Sequence, residues 1–326
     1  MTAVDGVADR VDKAAADSGF SGVVRVDRGG ETFARAYGLA DRRHGIAMTV
    51  DSQLALASGS KSFTAAAVLS LVHAGKLSLD TKAREFLGPD LPLIADDVTV
   101  AHLLTHTSGI GDYLDENEDE GDIGDYAMPL SAHAYTTADA FLPWLDGHPT
   151  KFAAGAEFAY CNGGYMVLAL IAERAGGTGF HDLVRQTVFA PAGLADTDYL
   201  RTDDLPGRAA VGYVEVAGQT RANIFHLPVL GNGDGGAYST LADIHRFWAA
   251  LFAGKILPVE AVREMTRPHT DDYGMGFWMK DGKVQMVGGD AGVSFVSMYD
   301  PATGDTSTVI ANTSDGAWPV WRAVQP

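Results

Sequence analysis

Residues 57–73 read ASGSKSFTAAAVLSLVH, and this stretch decides the fold of the chain. From residue 62 onward its side chains are mostly apolar or small, which is typical of a helix buried on every side. Ser58 and Lys61 open the helix with the spacing S-x-x-K, so both side chains project from one face near the positive end of the helix dipole. A desolvated lysine there can accept the proton of a serine hydroxyl. The pattern predicts a nucleophilic serine; a helix cap followed by a surface lysine is the alternative.

Strand patterns stand near both ends of the sequence. Two β-branched and aromatic runs, Gly22–Asp27 and Thr32–Tyr37, surround a glycine-rich turn and predict a hairpin. Four further runs lie between Gly, Asp and Pro turns, at 276–280, 284–287, 293–299 and 306–311. Helical patterns extend up to about Asp17 and over 317–324. We therefore expect one antiparallel sheet that is assembled from both termini and flanked by the terminal helices.

The middle of the chain has mostly helical patterns. The predicted helices are 100–106, 138–146 and 179–189, with Thr99, Thr137 and Thr178 as their caps, together with 165–175 and 241–252. No linker rich in Pro, Gly or Ser divides the chain. The sequence thus predicts an α+β fold, with a sheet domain at 1–64 and 241–326 and an inserted helical domain at 65–240. We expect the catalytic cleft between these two parts.

A second motif, Tyr160-Cys161-Asn162, comes directly before the strongly apolar helical stretch. A tyrosine beside a lysine can titrate low enough to pass protons, and a buried amide can hold a substrate carbonyl. A core tyrosine followed by a turn asparagine is the alternative. Because this triplet and S-x-x-K both stand at helix entries, the pair favours a catalytic site.

With both motifs in place, the chain resembles the serine hydrolases of the β-lactamase and penicillin-binding type. Within them it resembles the branch that contains class C β-lactamases, D-Ala-D-Ala carboxypeptidases and related esterases. Five stretches match family motifs in the correct order: LLTHTSG at 103–109, FAYCNGGY at 158–165, PAGLADT at 191–197, GGAYST at 235–240 and YGMGFW at 273–278. The resemblance covers nearly the whole length and implies the β-lactamase/transpeptidase-like fold.

The resemblance also implies roles for the two motifs. Ser58 would attack the acyl carbonyl of a small ester, amide or peptide, and water would then hydrolyse the serine ester. Lys61 and Tyr160 would share the proton transfers, and Asn162 would orient the substrate carbonyl. Neither a metal nor an organic cofactor is expected.

The third family motif, written K-T-G or H-x-G on an edge strand, falls on GGDAGV at 288–293, where Asp290 replaces the basic residue. The resemblance makes Gly292 and Val293 substrate-binding, with the N–H of Val293 joining that of Ser58 in the oxyanion hole. An ionised Asp290 would repel a substrate carboxylate. We therefore expect neutral or amine-bearing substrates to be preferred over penicillins, cephalosporins and C-terminal D-Ala peptides. If Asp290 instead turns toward a backbone N–H or an arginine, the cleft would be indifferent to charge.

Composition narrows the possible partners. The chain has 326 residues, with 42 Asp and Glu against 24 Lys and Arg, and this charge of −18 disfavours nucleic acid and anionic membranes as partners. A small-molecule acyl substrate remains the expected partner, and the sequence indicates no oligomeric state. The single cysteine excludes an internal disulfide. The first 20 residues lack a signal-peptide pattern, so we expect a cytoplasmic protein unless a signal has been removed.

Several other patterns have competing interpretations. His102 and His106 have metal-ligand spacing without a third ligand, so a structural role at the following turn is favoured. GNGDGG at 231–236 has the form G-x-G-x-x-G, but no βαβ unit surrounds it. The acidic run at 112–126 is expected to be a solvated, mobile loop near the cleft, and Cys161 a small packed residue. A protein that forms the serine ester without releasing it, and a scaffold that has lost the chemistry, stay as alternatives to an active hydrolase.

Overall fold

A computed structural model describes residue 4 and residues 6–116 and 128–325. Its main feature is a six-stranded antiparallel sheet built from both ends of the chain. We number these strands β1 (Gly22–Arg28), β2 (Glu31–Tyr37), β3 (Trp278–Lys280), β4 (Lys283–Asp290), β5 (Val293–Tyr299) and β6 (Thr306–Ala311). Their order in the sheet is β3-β4-β5-β6-β1-β2, so the N-terminal hairpin joins the C-terminal strands through β1 and β6. The predicted single sheet from both termini is confirmed.

Five longer helices cover the sheet and fill the middle of the molecule. They are α1 (Val7–Ser18), α2 (Lys61–His73), α3 (Asn162–Gly176), α4 (Leu241–Phe252) and α5 (Ala317–Val324). The terminal helices α1 and α5 pack together on the outer face of the sheet, where their buried residues include Val7, Val11, Ala317 and Val320. On the inner face, a large apolar core joins the sheet to α2, α3 and α4. Since α2 is buried all round, it holds its first residues at the boundary between sheet and helices.

Shorter elements complete the described chain. Short helices span Ala83–Leu87, Val100–Leu104, Leu142–Leu145, Phe180–Val184, Ala190–Ala192 and Val259–Met265, and a π-helical segment spans Arg185–Phe189. The 3-10 turns are Ala57–Ser60, Ala132–Ala134, Ala138–Phe141 and Asn223–Phe225. Small sheets join Leu39–Asp41 with Ile46–Ala47, Tyr213–Val216 with Gln219–Ala222, and Leu54–Ala55 with Ala237–Ser239 and Asp198–Tyr199.

Some predicted helices differ from those observed. The predicted helix 138–146 is a 3-10 turn followed by one α-helical turn, and Thr137 makes no side-chain cap. The predicted helix 179–189 changes into a π-helical segment after Val184, and Thr178 does not cap it. Thr99, in contrast, caps its helix by accepting a hydrogen bond from the backbone N–H of His102. The division into domains 1–64 with 241–326 and 65–240 stays a prediction.

No helix within the described residues combines the length and the apolar character that a bilayer span requires.

Candidate active site

Ser58 lies on the 3-10 turn Ala57–Ser60, directly before α2. The turn packs tightly against the sheet: a Cβ on Gly59 would lie 2.3 Å from a ring carbon of Phe295, so glycine is required there. Gly288 of β4 is equally close to the chain around this turn, since a Cβ on it would lie 2.1 Å from the backbone oxygen of Leu56 and 3.0 Å from the backbone nitrogen of Ser58. The sheet thus fixes the turn, while the Ser58 side chain stays partly exposed.

Lys61 is 1% exposed and makes three polar contacts. Its Nζ lies 2.9 Å from Ser58 Oγ, 2.7 Å from Asn162 Oδ1 and 2.8 Å from the backbone oxygen of Asp234. The last two atoms can only accept hydrogen bonds, whereas a serine hydroxyl can also donate one. Lys61 Nζ donates to all three atoms, and its contact with Ser58 Oγ places the amine where it could take the serine proton.

Tyr160 lies on the other side of this pair. Its side chain is hydrogen-bonded to that of Ser58, and its ring centroid is 5.0 Å from Lys61 Nζ. Burial and the nearby carboxylate of Glu116 raise the pKa of Tyr160 well above its ordinary value, although the bond to Ser58 lowers it. The expectation of a tyrosine that titrates low is therefore wrong for the free site. At neutral pH the phenol keeps its proton and is suited to donate one.

His106 packs against the ring of Tyr160. Its Nδ1 accepts the backbone N–H of Cys161 at 3.0 Å, and its ring lies 4.3 Å from that of Tyr160. Complete burial lowers the pKa of His106 well below its usual range, so the ring is neutral. His102 instead accepts a hydrogen bond from the backbone N–H of Thr99. The two histidines thus have separate structural contacts, and no group of three metal-ligating side chains occurs among the described residues.

Asn162 is the first residue of α3 and is 3% exposed. Its Oδ1 accepts from Lys61, and its Nδ2 donates to Glu116 Oε1 at 2.8 Å. The helix start is capped by Asp112, whose carboxylate accepts the backbone N–H groups of Asn162 and Gly163 at 2.7 and 2.8 Å. Burial raises the pKa of Asp112 to about 6, while these backbone bonds lower it.

The sequence predicts that the acidic run 112–126 is solvated. For Asp112 this prediction is wrong, because the side chain is buried against the start of α3. Glu116 borders the cleft, as expected. The part at 117–126 lies outside the described residues.

Cys161 is buried, and its Sγ accepts the backbone N–H of Gly164 at 3.3 Å. Since burial also raises the pKa of the Cys161 thiol, a packed structural cysteine fits this position.

The glycine-rich loop 231–236 accepts a hydrogen bond from Lys61. Besides the bond from Lys61 to Asp234, Thr64 Oγ1 donates to the backbone oxygen of Gly233 at 2.6 Å. His181 Nε2 lies 2.8 Å from the backbone oxygen of Gly231. The loop therefore presents carbonyl oxygens to α2, whereas a phosphate site needs N–H groups.

Ser58 stands where two spaces meet. A cavity of about 60 Å³ lies on the side of Asn162, and a groove of about 790 Å³ lies on the side of Tyr160. The cavity is lined by three carboxylates and by apolar walls: Glu116, Asp234, Asp290, Phe141, Trp144, Met166, Leu227 and Pro228. The groove is lined by Trp278, Trp318 and Gln285, among others.

Asp290 lines the cavity together with two other acidic groups. Its Oδ1 accepts the backbone N–H of Ala291 at 2.8 Å. Burial and the carboxylates of Asp234 and Glu116 raise the pKa of Asp290 to about 7. The hydrogen bond from Ala291 and the nearby Lys61 lower this pKa but do not outweigh the burial. Burial likewise raises the pKa of Asp234. A bond to a backbone N–H was one of the two expected alternatives, but Asp290 makes it while still lining the cavity.

Gly292 and Val293 lie away from the cavity and the groove beside Ser58. Neither lines the cavity or the groove in the described part of the chain. Gly292 forms the turn after β4, where its N–H donates to Ser314 Oγ at 2.9 Å and its Cα faces the backbone of Tyr213. Val293 is 2% exposed and pairs with Asp290 in the sheet. The structure therefore does not bring these two residues to Ser58, because the turn at 291–292 carries the chain away from it.

Comparison with known proteins identifies the family. The model of the β-lactamase family matches residues 7–320. A penicillin-binding protein from Bacillus halodurans has a similar structure, with a TM-score of 0.90 and 35% identity over 96% of this chain and 98% of that one. A D-amino acid amidase from Ochrobactrum anthropi, complexed with L-phenylalanine amide, has a TM-score of 0.79 and 26% identity over 98% and 96% of the two chains.

Another relative is an esterase. Esterase EstB of Burkholderia gladioli is 35% identical over 206 residues, which cover 59% of this chain and 49% of the esterase. The match thus spans about half the length of that relative. Since the family model covers nearly all of the described fold and the relatives include an esterase and an amidase, the chain belongs to the β-lactamase family of serine hydrolases.

Proposed function

We propose that the protein hydrolyses a small ester or amide through an acyl-enzyme on Ser58, with Lys61 as the base. The contact of 2.9 Å between Lys61 Nζ and Ser58 Oγ carries this proposal. As Ser58 attacks the carbonyl carbon, its proton passes to Lys61, whose other contacts stay with Asn162 and Asp234. Water later attacks the ester and restores the serine.

The positions of Tyr160 and Asn162 indicate where the two parts of the substrate would bind on either side of Ser58. The leaving group must depart beside the group that protonates it, and the protonated phenol of Tyr160 lines the groove. Asn162 lines the cavity and would orient the carbonyl after Glu116 releases its amide. We therefore assign the leaving group to the groove and the acyl group to the cavity.

The oxyanion hole in this proposal combines the N–H of Ser58 with one from the end of β4. Gly288 lies against the backbone of Ser58, and Gly289 lines both the cavity and the groove. The segment 288–290 therefore replaces Val293 as the source of the second donor. Two aligned donors stabilise the tetrahedral oxyanion by several kcal/mol in comparable sites.

The proposed substrates are neutral or carry an amine on the acyl side, because Asp290, Asp234 and Glu116 line the acyl cavity. Two like charges about 4 Å apart repel by about 4 kcal/mol at an effective dielectric of 20, which is nearly a thousandfold in binding. A substrate with a carboxylate on its acyl group is thus disfavoured. The similar amidase, whose name gives D-amino acid amides as its substrates, is consistent with this choice.

A side-by-side substrate panel tests the proposal. We expect p-nitrophenyl acetate and amino acid amides to be hydrolysed by the wild type and not by Ser58→Ala, with nitrocefin turned over poorly. A burst of one equivalent without turnover on every substrate would instead indicate an acyl-accepting protein. Equal rates for Ser58→Ala and the wild type would refute the proposal.

A further inference from the structure

Asn232 is a buried amide in the wall of the acyl cavity that the catalytic scheme does not use. It is 2% exposed, and neither its Oδ1 nor its Nδ2 has a hydrogen-bond partner among the described residues. Leaving a buried polar atom unpaired is energetically costly, so buried amides in proteins are rarely left in this state. The side chain therefore has capacity for a ligand in the cavity.

The backbone at Asn232 is fixed by hydrogen bonds within the loop. Its N–H and carbonyl oxygen pair with Gly235 at 3.0 and 3.3 Å. The flanking loop is anchored by the contacts to Lys61, Thr64 and His181 described above. Because the loop is fixed at several points, Asn232 is held in its place beside the cavity.

The charges of the cavity indicate what Asn232 would bind. Glu116, Asp234 and Asp290 line the same space, and no lysine, arginine or histidine lines it within the described residues. Such a lining attracts a cation, and an ammonium group can donate to an amide oxygen and to a carboxylate at once. The volume of about 60 Å³ has room for roughly five water-sized groups, which suits a short acyl chain.

We propose that Asn232 is a specificity-determining residue that binds an amine on the acyl group of the substrate, so that small amino-acyl esters and amides are preferred. The amine would donate to Asn232 Oδ1 and to the carboxylate of Asp234 while the carbonyl lies at Ser58. This inference rests on the proposed function, since it assumes that the cavity holds the acyl group.

The test compares methyl esters that differ only in the acyl substituent: alanine, lactate and propanoate. A fourth ester, 2-aminoethyl propanoate, carries the amine on the leaving group instead. We expect the wild type to have a kcat/KM for the alanine ester roughly 10- to 100-fold above that for methyl propanoate, as one charged hydrogen bond provides. The 2-aminoethyl ester should show no such gain.

Asn232→Leu replaces the amide oxygen and nitrogen with two methyl groups in the same branched arrangement. It should bring the ratio of kcat/KM for the alanine ester to kcat/KM for methyl propanoate close to one, whatever change the two esters share. The Tm should not fall, because the side chain of Asn232 has no hydrogen-bond partner to lose among the described residues. Met166→Leu, an apolar change in the same cavity wall, is the matched control and should keep the preference.

Each outcome has a defined meaning. Equal kcat/KM for the alanine and propanoate esters, with Ser58-dependent hydrolysis of p-nitrophenyl acetate, would overturn the inference and leave the proposed function intact. A lower Tm of Asn232→Leu with an equal loss on all esters would show a structural role and also overturn it. If Ser58 supports no hydrolysis of any ester, the proposed function fails and this inference fails with it.

Discussion

Asp112 and Asn162 are joined through the backbone: the Asp112 carboxylate accepts the N–H of Asn162 at 2.7 Å and also that of the next residue. The side-chain oxygen of Asn162 in turn accepts a hydrogen bond from Lys61 Nζ. A carboxylate 50 positions earlier in the chain thus fixes the helix start from which the lysine is held. Changes at Asp112 should therefore reach Ser58 without any direct contact.

Asp112→Ala should destabilise the fold and slow catalysis. Two backbone N–H groups at the start of α3 would lose their acceptor, which costs about 1–3 kcal/mol in the free energy of unfolding. Asp112→Asn keeps one acceptor oxygen, so its stability and its kcat should lie between those of Asp112→Ala and the wild type. Urea unfolding and kcat for p-nitrophenyl acetate measure the two effects. Wild-type values of both for Asp112→Ala would show that the cap is not needed.

Lys61→Ala should lower kcat by about 100-fold or more, because it removes the amine that lies within hydrogen-bond distance of Ser58 Oγ and is proposed to take its proton. Lys61→Arg places a permanently protonated group at this position that cannot accept the serine proton, so it should be as inactive as the alanine variant. Steady-state kinetics with circular dichroism as a folding check separates these cases. A Lys61→Arg enzyme with wild-type kcat would mean that the charge, and not proton transfer, is what matters.

Tyr160→Phe should also lower kcat by about 100-fold, through loss of the proton donor to the leaving group. Since the pKa of Tyr160 is raised, activity that needs the protonated phenol should not decline until strongly alkaline pH. Tyr273→Phe is the matched control, because Tyr273 belongs to the same aromatic cluster but lines neither the cavity nor the groove in the described part of the chain. The role of Tyr160 is excluded if both variants retain wild-type kcat.

Asp290 should make charge selection depend on pH. Below its pKa of about 7 the carboxyl is neutral, and above it the cavity gains a negative charge. The kcat/KM ratio of betaine methyl ester to its neutral isostere, methyl 3,3-dimethylbutanoate, should therefore rise by roughly tenfold or more between pH 6 and 8. The fixed charge of betaine ensures that only the enzyme titrates.

Two variants complete this measurement. Asp290→Asn should remove the rise in the ratio, whereas Glu260→Gln, an exposed change on a surface helix with the same effect on net charge, should keep it. A ratio that stays flat with pH in the wild type, or that rises equally in Asp290→Asn, would mean that Asp290 does not select the substrate.

Elements with an unambiguous local pattern were predictable from the sequence. β5, β6, α4 and α5 have the predicted bounds, because turn residues and a helix cap mark their ends. Ser58 and Lys61 were also predictable as a pair, since one helical turn separates them and no tertiary contact is needed to bring them together. The helix predicted at 138–146 failed, because its pattern does not distinguish a 3-10 turn from an α-helix.

The remaining site residues depend on contacts between distant segments. Asp112 stands in a run whose composition indicates solvation, and only the start of α3 buries it. Asn232 and Asp234 lie on a glycine-rich loop whose pattern does not reveal that α2 holds its carbonyl oxygens. The segment 288–293 lacks the basic residue of the family motif, so its pattern could not show that the chain turns away from Ser58 at Gly292.

The most direct test of the central claim is to locate the covalent intermediate. Wild-type protein treated with a fluorophosphonate should gain one adduct by intact mass, and peptide mapping should place it on Ser58. Ser58→Ala should gain none, with an unchanged circular dichroism spectrum. An adduct on another residue, or hydrolysis by Ser58→Ala at the wild-type rate, would contradict an acyl-enzyme at Ser58.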